Sequence, residues 1–368
     1  MKKTTEEPVN TTVQVVQHMA PGGIETMAID LTNFCGEHER GMIISLEGNH
    51  STSVNHWPRL KPLADKLIFL GKQAGLQPLL ILRLVRLFKS LNVDAVHTHH
   101  IGPLLYAGLA ARLAGVKHLI YTEHDAWHLD DKKQCSLERW AIRILQPRLV
   151  ADADNVAARM RVQLRCKDEI KVIRNGIDTE HFLPGDQYDA RQLLGLPQNV
   201  KIIGCSGRLE EVKGQKNLIQ AMIQLPDNIH LALAGSGNIE KKLRDLVNSL
   251  GINDRVHFLG RIDEMPSFYQ ALDAFCLPSL NEGLPLSPLE AQACNIPTAV
   301  TDVGGSCETL CPNSGELIPA GNIKAIAHKM KKILSIPMNA NEPRRFVQKN
   351  GDVRVMSQAY SALRFTGD

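Results

Sequence analysis

Net charge is almost missing from this chain: 42 Lys and Arg stand against 39 Asp and Glu over 368 residues, a formal +3. That balance gives no support to nucleic-acid binding as a main role. Also missing is any run of about eighteen apolar residues. The best stretch, Ile101 to Val116, is interrupted by Arg112 and studded with Gly and Ala, so no membrane-spanning helix is expected. Met1 to Pro8 is polar and lacks an apolar h-region, which predicts no signal peptide. The eight cysteines include no Cys-x-x-Cys pair of metal-site spacing. Cys205, Cys276 and Cys294 fall in apolar runs and read as buried, reduced thiols of a cytoplasmic protein. No internal repeat or low-complexity tract is visible, and no G-x-G-x-x-G marks a dinucleotide site.

What is present is a β–α alternation, twice over. In the first half, strands are predicted at Thr12–Met19, Gly41–Leu46, Lys66–Leu70, Asp94–His100 and His118–Asp125, with helices at Thr26–Phe34 and Gln77–Ser90. In the second half, strands are predicted at Lys201–Cys205, Ile229–Ala234, Val256–Leu259, Ala274–Leu277, Thr298–Thr301 and Glu316–Ile318. Alternating strands and helices imply parallel sheets covered on both faces, with ligands at the carboxyl ends of the strands. A composition shift after Asn175-Gly-Ile-Asp178 suits an interdomain linker. The length therefore reads as two α/β domains, residues 1–180 and 181–345, followed by a final helix within 345–364.

The strand ends carry the chemistry. Ser279 to Ala291 reads as strand exit, tight loop and helix start, with Glu282 and Glu290 eight positions apart. A carboxylate at each end of such a loop can grip sugar hydroxyls on either side of a phosphate held at the helix N-terminus. Ser287-Pro-Leu-Glu290 is equally a capping box, with Ser287 as N-cap and Glu290 merely returning a hydrogen bond. Arg208 and Lys213, five apart in a loop that opens a helix, can clamp a diphosphate. Gly22 and Gly23 make a turn that lets a ligand approach the backbone. His97 and His99 share a face by strand alternation, which suggests a metal pair, yet no third ligand has convincing spacing. His124 ends the next strand, either facing a ligand crevice or held by Asp125. Asp152 and Asp154 resemble a metal-binding DxD but read as a strand end and a helix cap. The basic helix 77–90, with Arg83, Arg86 and Lys89 on one side, is either an outer helix face or a membrane-surface element.

Taken in order, these motifs resemble those of retaining glycosyltransferases of family 4, which have the GT-B fold. Glu282-Gly-Leu-Pro-Leu-Ser-Pro-Leu-Glu290 resembles their E-x7-E donor motif, and Gly207-Arg-Leu-Glu-Glu-Val-Lys-Gly214 their phosphate loop. Pro21-Gly-Gly-Ile-Glu25, His97-Thr-His99, Phe258-Leu-Gly-Arg-Ile262 and Val303-Gly-Gly-Ser-Cys-Glu308 resemble further elements around the substrates. The resemblance runs from about Val13 to Tyr360.

It implies an α/β fold of two Rossmann-like domains with parallel sheets facing across an interdomain cleft, and a last helix (346–368) returning to the first domain. It also implies transfer of a sugar from a nucleotide-diphosphate sugar to a glycan or lipid-linked hydroxyl acceptor, with no cofactor and no metal. Arg208 and Lys213 would stabilise the leaving diphosphate, Glu282 would hold sugar hydroxyls and Glu290 the ribose. His124 would position the sugar, with Gly22, Gly23, Glu25 and His99 lining the acceptor side. Gly283, Leu284, Arg261 and Ile262 would complete the donor site. Peripheral contact with the inner membrane surface is a further expectation. The rival readings are a GT-B nucleotide-sugar epimerase, using Glu123 or Asp125 as acid or base, and a non-catalytic sugar-nucleotide-binding module.

Overall fold

The computed structural model of the protein describes residues 9–166, 169–335 and 341–365. The chain forms two units, one made of residues 1–175 with 353–368, the other of Gly176–Asp352. The boundaries at 175/176 and 352/353 differ from the sequence-based 180/181 and 345/346.

The first unit is built on β1 (Asn10–Val16), β2 (Glu39–Ser45), β3 (Leu67–Phe69), β4 (Val93–His99), β5 (His118–Glu123), β6 (Arg148–Ala151) and β7 (Ile170–Val172). They lie in the order β3-β2-β1-β4-β5-β6-β7, every pair parallel. Helices α1 (Gly23–Asn33), α2 (Leu79–Ser90), α3 (Leu109–Ala114), α4 (Lys132–Leu145) and α5 (Asp154–Leu164) connect them. Near-continuous burial along β1, β2 and β4 is what a sheet covered on both faces requires.

The second unit repeats the plan with β8 (Lys201–Ser206), β9 (Ile229–Ala234), β10 (Val256–Gly260), β11 (Ala274–Leu277), β12 (Thr298–Thr301) and β13 (Glu316–Ile318), ordered β10-β9-β8-β11-β12-β13. Alternate residues feed two cores. Ile203, Leu231, Leu233 and Cys276 pack on one side, and Ile202, Ala232, Phe275 and Leu277 on the other. Helices α6 (Gln215–Ala221), α7 (Met265–Gln270) and α8 (Ser287–Ala293) follow strands of this sheet. None of the eight cysteines is in a disulfide.

The final helical pattern is two helices, α9 (Glu342–Asn350) and α10 (Val353–Phe365), not one. Gly351 stops the first by donating its N–H to Val347 O, and Ile177 bridges Asp352. α9 stays with the second unit, whereas α10 buries Val353, Met356 and Tyr360 against Met27, Leu31, Ile120 and Val150 of the first. Arg364, fully buried, donates to Glu39 at 2.8 Å.

Two predicted caps are corrected. Leu286, already in helical conformation, precedes α8, so Ser287 is its first residue and not its N-cap. Ala153 is the N-cap of α5 and makes no capping side-chain bond, so neither Asp152 nor Asp154 is that cap.

Each sheet has one place where strand order reverses, between β1 and β4 in the first and between β8 and β11 in the second. Loops leaving the two strands diverge there, which opens a crevice at their carboxyl ends.

Candidate functional site

In the second unit, both strands at the reversal point deliver predicted site residues. Lys213, in the loop after β8, donates to both carboxylate oxygens of Glu282 after β11, at 2.8 and 3.0 Å. Ser279 Oγ adds a hydrogen bond to Glu282 Oε1 at 2.7 Å. Glycines set this meeting. Gly214 has φ +67° and lies against the Pro278 carbonyl, leaving no room for a Cβ, and Leu280 N–H donates to Val212 O at 2.7 Å. Gly304, at φ +54°, lies against the Glu282 carbonyl in the same way, and Gly305 N–H donates to Gly283 O at 2.8 Å. Three segments distant in sequence therefore hold one Lys–Glu pair.

Glu290, in the first turns of α8, accepts a hydrogen bond from Tyr269 OH at 2.5 Å. Burial, together with the charge and hydrogen bond of Glu290, keeps the Tyr269 phenol well above its usual range. The phenol is thus a donor to Glu290, and Ser206 Oγ, 3.0 Å away, donates to it in turn. Because Leu286 and not Ser287 is the N-cap of α8, the capping box is not formed as predicted, and this carboxylate accepts from a tyrosine. Tyr269, Ser206 and Ser279 were not singled out in the sequence, where nothing distinguishes them from other buried or turn residues.

The remaining predicted donor residues are placed less tightly. Arg208 is exposed and pairs with Glu210 at 3.0 Å. Gly283 is half-buried and Leu284 buried. Arg261 pairs with Asp263 at 2.7 Å, and Ile262 packs on the apolar core.

In the first unit, the ends of β4 and β5 bring histidines together. His97 and His99 do share a face, with ring centroids 4.2 Å apart. Side chains engage three of their four ring nitrogens. His97 Nε2 lies 2.7 Å from Thr122 Oγ1, which is 3.0 Å from Tyr360 OH. His99 Nε2 lies 3.0 Å from Gln14 Oε1, and its Nδ1 3.0 Å from His124 Nε2. Burial, with neighbouring histidines, pushes His99 well below its usual pKa. A neutral His99 facing an amide oxygen carries its proton on Nε2, so His124 Nε2–H donates to its Nδ1. The other His124 nitrogen, Nδ1, is 3.4 Å from Asp152 Oδ2. Burial raises the Asp152 carboxyl, against hydrogen bonds from His124 and Asn175. Asp152 thus belongs to the His124 network, a role that its DxD appearance concealed. Both ring nitrogens of His124 are engaged, and the residue is 6% exposed.

Glu25 is buried beneath Gly22, its Oε1 3.2 Å from His18 Nδ1, and burial raises its carboxyl pKa. Gly23 opens α1, three residues earlier than predicted.

A second cluster was not foreseen. Glu123, fully buried, accepts from Tyr121 OH at 2.5 Å and pairs with His100 Nδ1 at 3.1 Å. Asp125 does not hold His124; it lies 3.2 Å from His128 Nδ1, whose Nε2 is 2.8 Å from Glu138 Oε2. Burial opposes charge on both histidines. Glu123 nevertheless carries His100 up to about 9, while Asp125, Glu138 and Glu123 carry His128 up to about 10. Burial likewise opposes the Glu123 charge, but His100 and His128 bring it down to about 2. Glu123, Asp125 and His128 also form the one group among the described residues whose ligand atoms, within 4.8 Å of one another, could hold a metal ion. Two imidazolium groups already neutralise much of that charge.

The family model described as "Glycosyltransferase Family 4" matches residues 21–181, and that described as "Glycosyl transferases group 1" matches residues 186–352. A lipopolysaccharide core biosynthesis mannosyltransferase, LpsB, of Rhizobium meliloti is 36% identical over 42% of this chain and 48% of its own length. A D-inositol 3-phosphate glycosyltransferase of Corynebacterium urealyticum is 32% identical over 66% of this chain and 58% of its own. The chain thus spans about half of these curated relatives' length. Among solved structures, Anabaena HepE in complex with UDP superposes with TM-score 0.83 at 22% identity, covering 96% of this chain and 99% of that one. A Rickettsia africae glycosyltransferase gives TM-score 0.81 at 21% identity, covering 98% and 100%. Two parallel sheets with helices, of this kind, are the GT-B class of α/β fold.

Proposed function

The chain belongs to the group 1, family 4 glycosyltransferases, and on that premise we propose that it moves a sugar from a nucleoside-diphosphate sugar to an acceptor hydroxyl, with retention and without a resident metal. The observation that carries this reading is the Lys213–Glu282 pair at the strand-order reversal of the second sheet. An ammonium has three donors, so Lys213 can face a phosphate oxygen while still holding Glu282. In that role it offsets the charge that develops on the leaving diphosphate, and Arg208 adds a second fixed positive charge.

Glu282, fixed by Lys213 and Ser279, is left to accept from hydroxyls of the transferred sugar, and Glu290, aimed by Tyr269, from those of the ribose. The bond from the anomeric carbon to the diphosphate breaks, and one to the acceptor oxygen forms on the same face. The departing phosphate oxygen takes the acceptor's proton. His124 holds the sugar in this reading, so its ring must yield the His99 contact or act through its edge.

The acceptor class that fits best is a glycan or lipid-linked glycan. LpsB acts in lipopolysaccharide core synthesis, and an Escherichia coli relative, 28% identical over 69% of this chain, is a UDP-Gal:alpha-D-GlcNAc-diphosphoundecaprenol galactosyltransferase. The test is diphosphate release from UDP, GDP and ADP sugars, with and without EDTA. Release from one nucleotide class that survives EDTA supports the reading. Activity that EDTA abolishes and Mn²⁺ or Mg²⁺ restores overturns the metal-free part. A sugar altered with no acceptor present, and no diphosphate released, would be an epimerase.

A further inference from the structure

The carboxyl ends of β4 and β5 carry three side chains to which the transfer chemistry gives no role: His100, Asp125 and Trp127. β4 is one of the two strands at the reversal point of the first sheet, so its exit borders that unit's crevice.

Trp127 is 43% exposed, whereas Ala126 and Leu129 beside it are buried. The segment that carries it is fixed at several points. His128 joins Asp125 to Glu138 of α4, and Asp131 caps α4 by accepting from the N–H groups of Lys133 and Gln134. Asp130 pairs with Arg159 of α5 at 2.6 Å. A large indole is thus presented to solvent on a braced segment.

His100 has φ +68° and ψ 168°, a backbone region that glycine fills readily and other residues rarely. Glu123, 3.1 Å from its Nδ1, and the bond from its own N–H to Thr122 O hold it there. Backbone strain that the surroundings over-determine in this way is a feature of ligand sites. The other ring nitrogen, Nε2, lies 3.8 Å from Asp125 Oδ2, and neither atom makes a hydrogen bond to a described residue. The two side chains stay partly open, at 28% and 16% exposure.

These groups suit a pyranose. A hydroxyl both donates and accepts, so one can meet the imidazole Nε2 and the carboxylate Oδ2 together. The C–H face of the ring is apolar and can cover an indole. A phosphate or a uronate would instead bring like charge against Asp125.

We propose that His100, Asp125 and Trp127 bind an uncharged sugar ring of the acceptor, the indole against its C–H face and the other two on its hydroxyls. The inference rests on the transferase reading, in which the second unit takes the donor, so a sugar held here belongs to the acceptor. His128 and Glu138 act only by bracing the segment.

Saturation-transfer NMR of the full chain with the methyl glycosides of glucose, galactose, mannose and N-acetylglucosamine tests this with no donor present. At least one should receive saturation, and methyl glucuronide should not. Trp127→Ala should weaken that binding roughly tenfold, and Trp127→Phe should restore most of it. Asp125→Asn should weaken it as well, so the test does not hang on one variant. Trp127 is exposed, so the melting temperature of Trp127→Ala should match the parent. A merely structural tryptophan would show the reverse, lost stability with binding intact. Binding that Trp127→Ala and Asp125→Asn both retain, glucuronide bound equally well, or no glycoside bound by the parent overturns the subsite. Calorimetry of the parent with UDP, GDP and ADP separates two failures. A nucleotide bound with no glycoside sinks the subsite alone, whereas neither bound sinks the transferase reading with it.

Discussion

Lys213 and Arg208 share a predicted role but not a setting. Lys213 is the main counter-charge of Glu282, whose side chain is 8% exposed, whereas Arg208 is exposed at 66% and pairs with the nearby Glu210. Lys213→Ala should therefore lower both nucleoside-diphosphate affinity and melting temperature, because it strands a nearly buried carboxylate. Arg208→Ala should lower affinity alone, by about 1.5–3 kcal/mol if it meets phosphate directly. Calorimetry with free diphosphate and thermal melts of the two proteins separate these outcomes. Unchanged affinity in both would remove the clamp. For Glu290, Glu290→Gln presents amide donors where ribose hydroxyls need acceptors, so donor KM should rise roughly tenfold, about 1.4 kcal/mol. Tyr269→Phe removes only the group that aims it, and should raise donor KM less while costing more in thermal stability. A silent Glu290→Gln in steady-state kinetics would leave the carboxylate a structural partner of Tyr269.

At the scale of elements, the second-unit site depends on loops pressed backbone against backbone. Gly304→Ala adds a Cβ onto the Glu282 carbonyl at a positive φ, so the loop must move. Activity should fall by roughly tenfold or more with the Lys213 and Glu282 side chains intact, since such small displacements of a positioned group weigh heavily on rate. Wild-type kinetics in this variant would show that the loop contact is dispensable. The first unit's His–carboxylate cluster, joining β4, β5 and α4, makes a prediction in pH. His100 and His128 have raised folded pKa values, about 9 and 10, so their contribution is complete below the ordinary histidine value of about 6.5. It is lost as pH climbs through 9 and 10, because over that range the folded chain binds more protons than the unfolded one. Glu123, lowered to about 2, contributes above the ordinary carboxylate range, and its contribution is lost as pH falls toward 2. Melts from pH 6 to 10 should show declining stability that His128→Gln flattens. A parent curve flat over that range would contradict the charged cluster.

Over the whole molecule, what the sequence made legible was what local pattern dictates. Hydrophobic runs marked β1 to β5 and all six strands of the second sheet but not the short β7, and the glycines that permit close approach flanked the residues that matter. Lys213 and Glu282 were each singled out, yet their ion pair was not visible, since it joins loops 69 positions apart. The same holds for Tyr269 on Glu290 and Asp152 on His124, partners chosen by sheet order and burial. Asp152 misled because a strand end followed by a helix start looks alike whether the carboxylate caps the helix or turns inward. The last helix was drawn as one because its periodicity runs through Gly351, and only the bond to Val347 O and the bridge at Asp352 reveal the break. The central claim is that Glu282, held by Lys213, handles the sugar being transferred. It is tested most directly by acceptor-dependent diphosphate release from Glu282→Gln at saturating donor, beside the parent enzyme. The account predicts a loss of kcat by roughly a hundredfold or more, larger than any rise in donor KM. A Glu282→Gln enzyme that turns over at the parent rate would contradict it.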